Sequence, residues 1–335
     1  MSGRTRGILG LAAVAAIAAA ALVVAMSVGP SGLGLRGVLD ALLGGGDASS
    51  RAIVFSFRLT RALLAACVGA ALACAGASYQ AVLRNPLADP FILGVSGGAA
   101  LGAVAAQALA GASGLGSSIA TPVAAFAGAV ATLVLLFGLS RARGRTETTT
   151  LLLIGVVLNA FDSALIQFFV FRGDPARFQS LLSYLMGAMT SQSWTTVGIV
   201  AALTAIGSGA LYSRAHVLNL LSLGDDEAGQ LGVPVERATW TIVIAASLIT
   251  AAAVAFTGIV GFVGLIVPHA MRAIFGPDHR LLLPASALGG AATLLAEDAA
   301  ARTLIAPAEL PVSVITALIG GPFFLTILMK RGKTA

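Results

Sequence analysis

Apolar residues fill this chain in long stretches, and short polar or basic segments separate each stretch from the next. Most stretches approach the roughly 20 residues that an α-helix needs to cross a bilayer, and they lack the two-residue alternation of barrel strands. A segment inside lipid must satisfy its own backbone hydrogen bonds, which favours helices. The pattern predicts an all-α polytopic membrane protein of about ten spans. The predicted spans are residues 7–28, 62–83, 91–110, 118–140, 149–171, 194–213, 238–257, 258–273, 281–297 and 311–329.

The seventh and eighth spans come from one apolar run, which has no charged residue between Arg237 and Arg272. The run far exceeds one membrane thickness, and glycines in the segment 257–261 weaken a helix at its middle. It therefore predicts two spans joined by a tight turn. In the third span, glycines recur every four residues from Gly94 to Gly102. That spacing predicts a close packing seam with a neighbouring helix.

Basic residues predict the orientation, because they concentrate in cytoplasmic loops. Both ends of the chain are basic, with Arg4 and Arg6 at one end and the segment 330–333 at the other. Two cytoplasmic termini require an even number of spans, which agrees with ten. The same orientation leaves seven of the twenty Lys and Arg residues outside, and these need a separate explanation. They are Arg36, Arg51, Arg58, Arg61, Arg172, Arg177 and Arg302.

The composition excludes most soluble classes. The 335 residues are 58% hydrophobic and 10% charged, whereas a soluble globular protein carries roughly 25% charged residues. Too little polar surface remains to cover a body that faces water. The net charge of +6 does not indicate nucleic-acid binding, since the basic residues are dispersed between apolar blocks.

Motifs for catalysis or for a bound cofactor are missing. Gly332-Lys333-Thr334 looks like the end of a phosphate-binding loop, but Ile327 stands where that loop requires glycine. The three histidines are scattered and form no metal-binding set. We expect a chain that is not an enzyme and that binds no metal or cofactor itself.

Four segments together resemble the FecCD family, the permease subunits of ABC importers for iron–siderophore chelates, haem and cobalamin. The first joins Arg58-Leu59-Thr60-Arg61 to GAALACAGASYQAVLRNPLADPFILGVSGGAALGA at 69–103. The second is GIVGFVGLIVPHAMRAIFGPDHRLLLPASALGGA at 258–291. The others are 223–232 and 309–322, so the resemblance extends over nearly the whole chain.

The resemblance implies a type II importer permease in the bacterial plasma (inner) membrane. It implies a homodimer of ten-span subunits, with two cytoplasmic ATP-binding subunits and an extracellular or periplasmic binding protein. ATP and magnesium would then be bound by the partner ATPase. It also implies two five-span halves of inverted topology. Pro-containing turns at Asn85-Pro86 and Pro268-His269 are at comparable places in those halves.

Three of the outer arginines match positions at which relatives bind acidic residues of the binding protein. These are Arg58, Arg61 and Arg302. Arginine suits this role because its guanidinium can bind both oxygens of a carboxylate. The alternative is that these side chains extend toward lipid headgroups.

The loop at 214–236 is the longest on the predicted cytoplasmic side. Its leucines form an apolar patch, Gly224 interrupts it, and three acidic residues then open a second short helix, where carboxylates suit the positive N-terminus. The resemblance implies that this pair contacts the ATPase; the alternative is a simple connector. The candidate coupling residues are Leu221, Leu223, Gly224, Asp225, Asp226, Glu227, Leu231 and Gly232.

The fifth span carries polar residues at membrane depth. Asn159 and Asp162 are three residues apart and share one helix face. They either pair within the bundle or line the translocation pathway. At the inner end of the span, Thr148 and Thr149 match a hydroxyl-rich segment that closes the cytoplasmic gate in relatives.

Two classes of function compete. One is the ATP-driven permease, with ferric siderophore ranked first as substrate and haem or cobalamin as alternatives. The other is an ion-coupled secondary carrier, which would usually contain paired charges inside the membrane, whereas Asp162 is nearly alone in the sequence.

Overall fold

The computed structural model describes residues 3–29, 31–113, 120–141, 148–172, 178–187 and 189–331. Within these ranges the chain is helical and contains no β-strand. A π-helical turn at Ile53–Arg58 joins the third helix to the fourth. The α-helices are α1 (Gly3–Ser27), α2 (Leu35–Leu42), α3 (Ala48–Ala52), α4 (Leu59–Val82), α5 (Val95–Ser113), α6 (Ala120–Arg141), α7 (Thr148–Arg172), α8 (Phe178–Leu185), α9 (Trp194–Ser213), α10 (Ala215–Leu221), α11 (Asp225–Gln230), α12 (Val235–Thr257), α13 (Val263–Phe275), α14 (His279–Ala301) and α15 (Val312–Arg331).

The apolar helices lie where the hydrophobic pattern predicts spans. Among the described residues, six helical segments are long and apolar enough to cross a membrane: α1, the segment Ala48–Val82, α6, α7, α9 and α12. Shorter apolar helices lie within α5, α13 and α15. α14 has 23 residues and carries charged residues near both ends. An all-helical membrane protein is therefore confirmed, while ten crossings and two inverted halves stay predictions.

The structure corrects two details of the sequence interpretation. The predicted span 62–83 begins too late: helical structure is continuous from Ala48 to Val82, so Arg58 and Arg61 lie within a helical segment. Pro268 does not form a turn: it lies inside α13, where it removes one backbone hydrogen bond without ending the helix. The chain does break between α12 and α13, at residues 258–262, close to the predicted turn.

α4 lies at the centre of the bundle and packs against α9, α12, α13 and α14. Two glycines of α4 allow its close packing against α13 and α14. A Cβ added to Gly69 would collide with the carbonyl oxygen of Gly290 in α14, and one added to Gly76 would collide with that of Gly264 in α13. The backbones therefore approach more closely than any side chain would permit, which is the usual role of small residues between membrane helices.

The predicted glycine seam is confirmed for Gly98 and Gly102, whereas Gly94 lies before the start of α5 with φ +86°. A Cβ on Gly98 would lie 2.7 Å from the carbonyl oxygen of Gly128 in α6, and one on Gly102 would collide with the backbone of Ala124. α5 and α6 are thus held in backbone contact along this face.

Polar contacts connect α4 to its neighbours inside the bundle. The Tyr79 hydroxyl lies 2.7 Å from the Ser247 hydroxyl of α12. Gln80 donates to the carbonyl oxygen of Leu265 at 3.1 Å and accepts from Arg272 of α13 at 2.9 Å. These bonds fix the positions of α12 and α13 against α4.

α14 defines the two ends of the molecule that concern function. It begins at His279 beside α10 and ends at Ala301 beside Arg61 and Arg302. A helix of 23 residues is about 34 Å long. We call the end that carries α10 and α11 the coupling end, and the opposite end the arginine end.

Candidate functional site

Two of the three arginines singled out in the sequence, Arg61 and Arg302, meet around one carboxylate at the arginine end. Asp298, whose side chain is 0% exposed, lies 2.9 Å from Arg61 Nη2 and 3.0 Å from Arg302 Nε. Arg61 Nε also donates to Asp298 Oδ1 at 2.9 Å. α4 and α14 are therefore joined by a buried ionic contact, and Asp298 fixes the orientation of both guanidinium groups.

Arg302 and the third arginine, Arg58, bind carbonyl oxygens at the end of α1. Arg302 donates to the carbonyl oxygens of Ala25 at 2.9 Å and Val28 at 3.2 Å. Arg58 donates to the carbonyl oxygen of Met26. The last carbonyls of a helix have no partner within it, and cations are favoured at that end. Arg58 and Arg302 thus cap α1, which ends at Ser27.

A cavity of about 400 Å³ opens beside this cluster. Arg58 and Arg302 are only 6% and 5% exposed, whereas Arg61 is half-buried and also pairs with the exposed Glu309 at 2.9 Å. The guanidinium groups of Arg58 and Arg302 therefore point into the protein rather than toward lipid headgroups. Docking of a binding protein stays a prediction. The cavity is lined by Gly29, Ser31, Ile53, Phe57, Arg58, Arg61, Thr190, Ser191, Arg302 and Glu309.

The sequence interpretation missed the acidic members of this cluster. The ninth span was placed at 281–297, which ends one residue before Asp298, although α14 continues to Ala301. Asp298 and Arg302 are four residues apart, a spacing that permits an ion pair on one helix face. That spacing was the available signal. The buried Glu297 beside them was also missed.

At the coupling end, the two short helices predicted in the loop 214–236 are present as α10 and α11. Gly224 separates them with φ +149°, a backbone conformation that favours glycine. Asp225, Asp226 and Glu227 form the first turn of α11. Leu221 is buried against the bundle, whereas Leu223 and Leu231 are 63% and 61% exposed. Two apolar side chains are therefore displayed on the outer surface of the helix pair.

Polar contacts hold this pair to the bundle. Asn219 of α10 donates to Asp278 Oδ1 at 2.7 Å and accepts from the His279 backbone N–H at 2.8 Å, at the start of α14. The bond from Asn219 is the main reason that the pKa of Asp278 is lowered. Arg84, in the loop after α4, pairs with Asp225 at 3.1 Å. A movement of α10 or α11 would thus reach α14 and α4 directly.

The predicted pathway residues lie along α7. Asn159 donates to the carbonyl oxygen of Phe91 at 2.9 Å, and Asp162 is 5% exposed. Both side chains face α5, where a Cβ on Gly97 would lie 2.7 Å from Asn159 Oδ1 and 3.0 Å from Asp162 Oδ2. Thr149, near the start of α7, is exposed, and Thr148 is half-buried. A position within a pathway stays a prediction for all four.

Within the part of the chain that the structure describes, no group of three His, Cys, Asp or Glu side chains could hold a metal ion. The expectation that the chain binds no cofactor is not tested by this observation.

Long apolar helices and glycine-mediated packing define a polytopic α-helical membrane protein, with polar clusters at opposite ends of the bundle. The family model of the FecCD transport family matches residues 12–330. The chain belongs to the FecCD transport family.

Similar proteins include permease subunits from an archaeon and a bacterium. The cobalamin import system permease protein BtuC of Halobacterium salinarum is 44% identical over 283 residues, which cover 84% of this chain and 75% of that protein. The hemin transport system permease protein HmuU of Yersinia pestis is 40% identical over 281 residues, which cover 83% and 84%. A solved structure, described as an inward-facing ABC transporter of the metal-chelate type, superposes with a TM-score of 0.84 at 33% identity. It covers 96% of this chain and 98% of its own.

Proposed function

We propose that this chain is the membrane permease of an ATP-driven importer and that substrate passes between two copies of it. The observation that carries the proposal is the family match over residues 12–330. A homodimer in the plasma membrane, with both termini in the cytoplasm, would receive substrate from a binding protein at the arginine end. Two separate ATPase subunits would supply the energy at the coupling end.

The geometry of the coupling end supports a contact with a separate ATPase subunit at α10 and α11. The exposed Leu223 and Leu231 offer an apolar contact to a partner, and the acidic first turn of α11 lies beside them. Asn219 and Arg84 connect the helix pair to α14 and α4. Force applied by an ATPase at α10 and α11 would therefore be transmitted into the packed core.

We propose a metal chelate as the substrate and rank the tetrapyrrole-type chelates first. Similar proteins are named for cobalamin in Halobacterium salinarum and for hemin in Yersinia pestis. Ferric siderophore, the first expectation from the sequence, becomes the next candidate because neither of these relatives is named for it. The 40–44% identity to permeases with different named substrates indicates that the shared framework does not set the substrate by itself.

The test is uptake into vesicles that contain the chain, its ATPase and its binding protein. Labelled cobalamin, haem and a ferric siderophore are supplied in parallel, with and without ATP. We expect uptake of one chelate only when ATP and the ATPase are present. A vesicle with a catalytically inactive ATPase is the matched control.

The competing carrier class is tested in the same vesicles. A secondary carrier would accumulate substrate down an imposed ion gradient without the ATPase, and an ionophore would abolish that uptake. Accumulation by the chain alone under those conditions would overturn the permease proposal.

A further inference from the structure

A second cavity lies at the coupling end, where the chain passes from α11 to α12. It has a volume of about 220 Å³ and lies between the end of α9, the start of α10 and the first turns of α12. Arg214 and Arg237 line it together with Thr241. Arg214 and Arg237 are both exposed, so the cavity is open to an occupant from outside the chain.

The charges around this cavity are unbalanced. Both charged residues that line it are arginines, and neither forms an ion pair with another residue in the described ranges. α12 begins at Val235, so the positive end of a 23-residue helix also lies beside the cavity. Glu236 is the one acidic residue in that first turn, and it does not line the cavity. Two cations at one opening repel each other unless an anion lies between them.

Exposed apolar side chains lie further along α9 and α12, the helices whose ends line the cavity. α9 and α12 are in tight contact at Gly207, where an added Cβ would collide with Ile249. On α12, Ile244 and Leu248 follow Thr241 one and two turns deeper, and they are 40% and 38% exposed. Ile206 of α9 is 71% exposed. A molecule with its charged group at the arginines could therefore lay apolar chains along these side chains.

We propose that this cavity binds the phosphate headgroup of an anionic phospholipid. Arginine forks recognise phosphate oxygens with two parallel hydrogen bonds, and basic pockets between membrane helices are suited to anionic headgroups. Gly232 and Val233, which directly follow α11, line the same cavity. A bound lipid would therefore hold the end of the coupling helix pair in place. The proposal depends only on the chain being embedded in a membrane and not on the transport function proposed above.

The test is native mass spectrometry of the full chain in detergent, titrated with phosphatidylglycerol. We expect Arg214→Gln with Arg237→Gln to weaken phosphatidylglycerol binding by about tenfold, which corresponds to about 1.4 kcal/mol. Diacylglycerol with the same chains and no phosphate should bind both proteins equally weakly. The matched control is Arg36→Gln with Arg51→Gln, which removes two exposed arginines from the other end of the molecule and should leave the affinity unchanged.

Two results would overturn the proposal. One is an unchanged affinity for phosphatidylglycerol in the Arg214 and Arg237 variant, with thermal unfolding like that of the wild type. The other is displacement of phosphatidylglycerol by inorganic phosphate at equal concentration, since that would assign the cavity to free phosphate. A phosphatidylglycerol signal that is lost only in this variant and that resists inorganic phosphate supports the lipid site.

Discussion

Replacement of Asp298 by asparagine removes the one buried carboxylate that both Arg61 and Arg302 contact. Asparagine keeps the size of the side chain and one acceptor oxygen, so the change is chiefly one of charge. Loss of one partner from a buried ion pair leaves the other charge uncompensated and costs about 3–5 kcal/mol. We expect Asp298→Asn to lower the free energy of unfolding by an amount in that range.

The second carboxylate at the arginine end provides a matched control. Glu309 also pairs with Arg61 at 2.9 Å, but its side chain is 42% exposed, compared with 0% for Asp298. Exposed ion pairs contribute about 0–1 kcal/mol. We therefore expect Glu309→Gln to be several-fold less destabilising than Asp298→Asn, although both variants remove one negative charge near the same arginine.

The assay is equilibrium unfolding of the purified chain in mixed micelles, followed by circular dichroism. A double-mutant cycle with Arg61→Met separates the pair from the general effect of the substitution. Removing both charges should recover part of the loss caused by Asp298→Asn alone. If Asp298→Asn costs no more than Glu309→Gln, then Asp298 does not hold the arginines and the interpretation of this cluster is wrong.

Three further predictions concern the coupling end and α7. Gly224→Val should destabilise the α10–α11 segment by about 1–3 kcal/mol, because φ is +149° at this position. ATP-driven uptake should therefore fall. Gly229→Ala, which adds a methyl group into open space within α11, is the control and should keep normal uptake. Asn219→Ala should uncouple ATP hydrolysis from uptake. Because the pKa of Asp278 is lowered in the folded protein, its stabilising contribution is present above the unfolded value of 3.8 and is lost as pH falls through the lowered pKa. Asn219→Ala removes the main cause of that shift, so the free energy of unfolding of this variant should depend less on acid pH. An unchanged pH dependence would contradict the role of the bond between Asn219 and Asp278. Thr149→Cys should crosslink across a homodimer in some nucleotide states, and no crosslink in any state would place the gate elsewhere.

The sequence by itself determined the helical, membrane-embedded class and the places of the apolar helices. It did so because hydrophobic length and the need for internal backbone hydrogen bonds act within each segment. The break between α10 and α11 was likewise predictable, since Gly224 stands between leucines and a run of three carboxylates. The four-residue spacing of Gly98 and Gly102 was enough to predict that α5 packs closely against a neighbour.

Tertiary structure decided which polar residues meet. Arg61 and Asp298 are separated by 237 residues, and Arg302 and Ala25 by 277. Nothing in the local pattern couples such positions, so Arg58 and Arg302 looked like exposed cations although they cap α1. The cavity beside Arg214 and Arg237 depends in the same way on the packing of α10 and the ends of α9 and α12. Burial and pairing of charges follow from the packing of whole helices, and one-dimensional spacing does not contain that information.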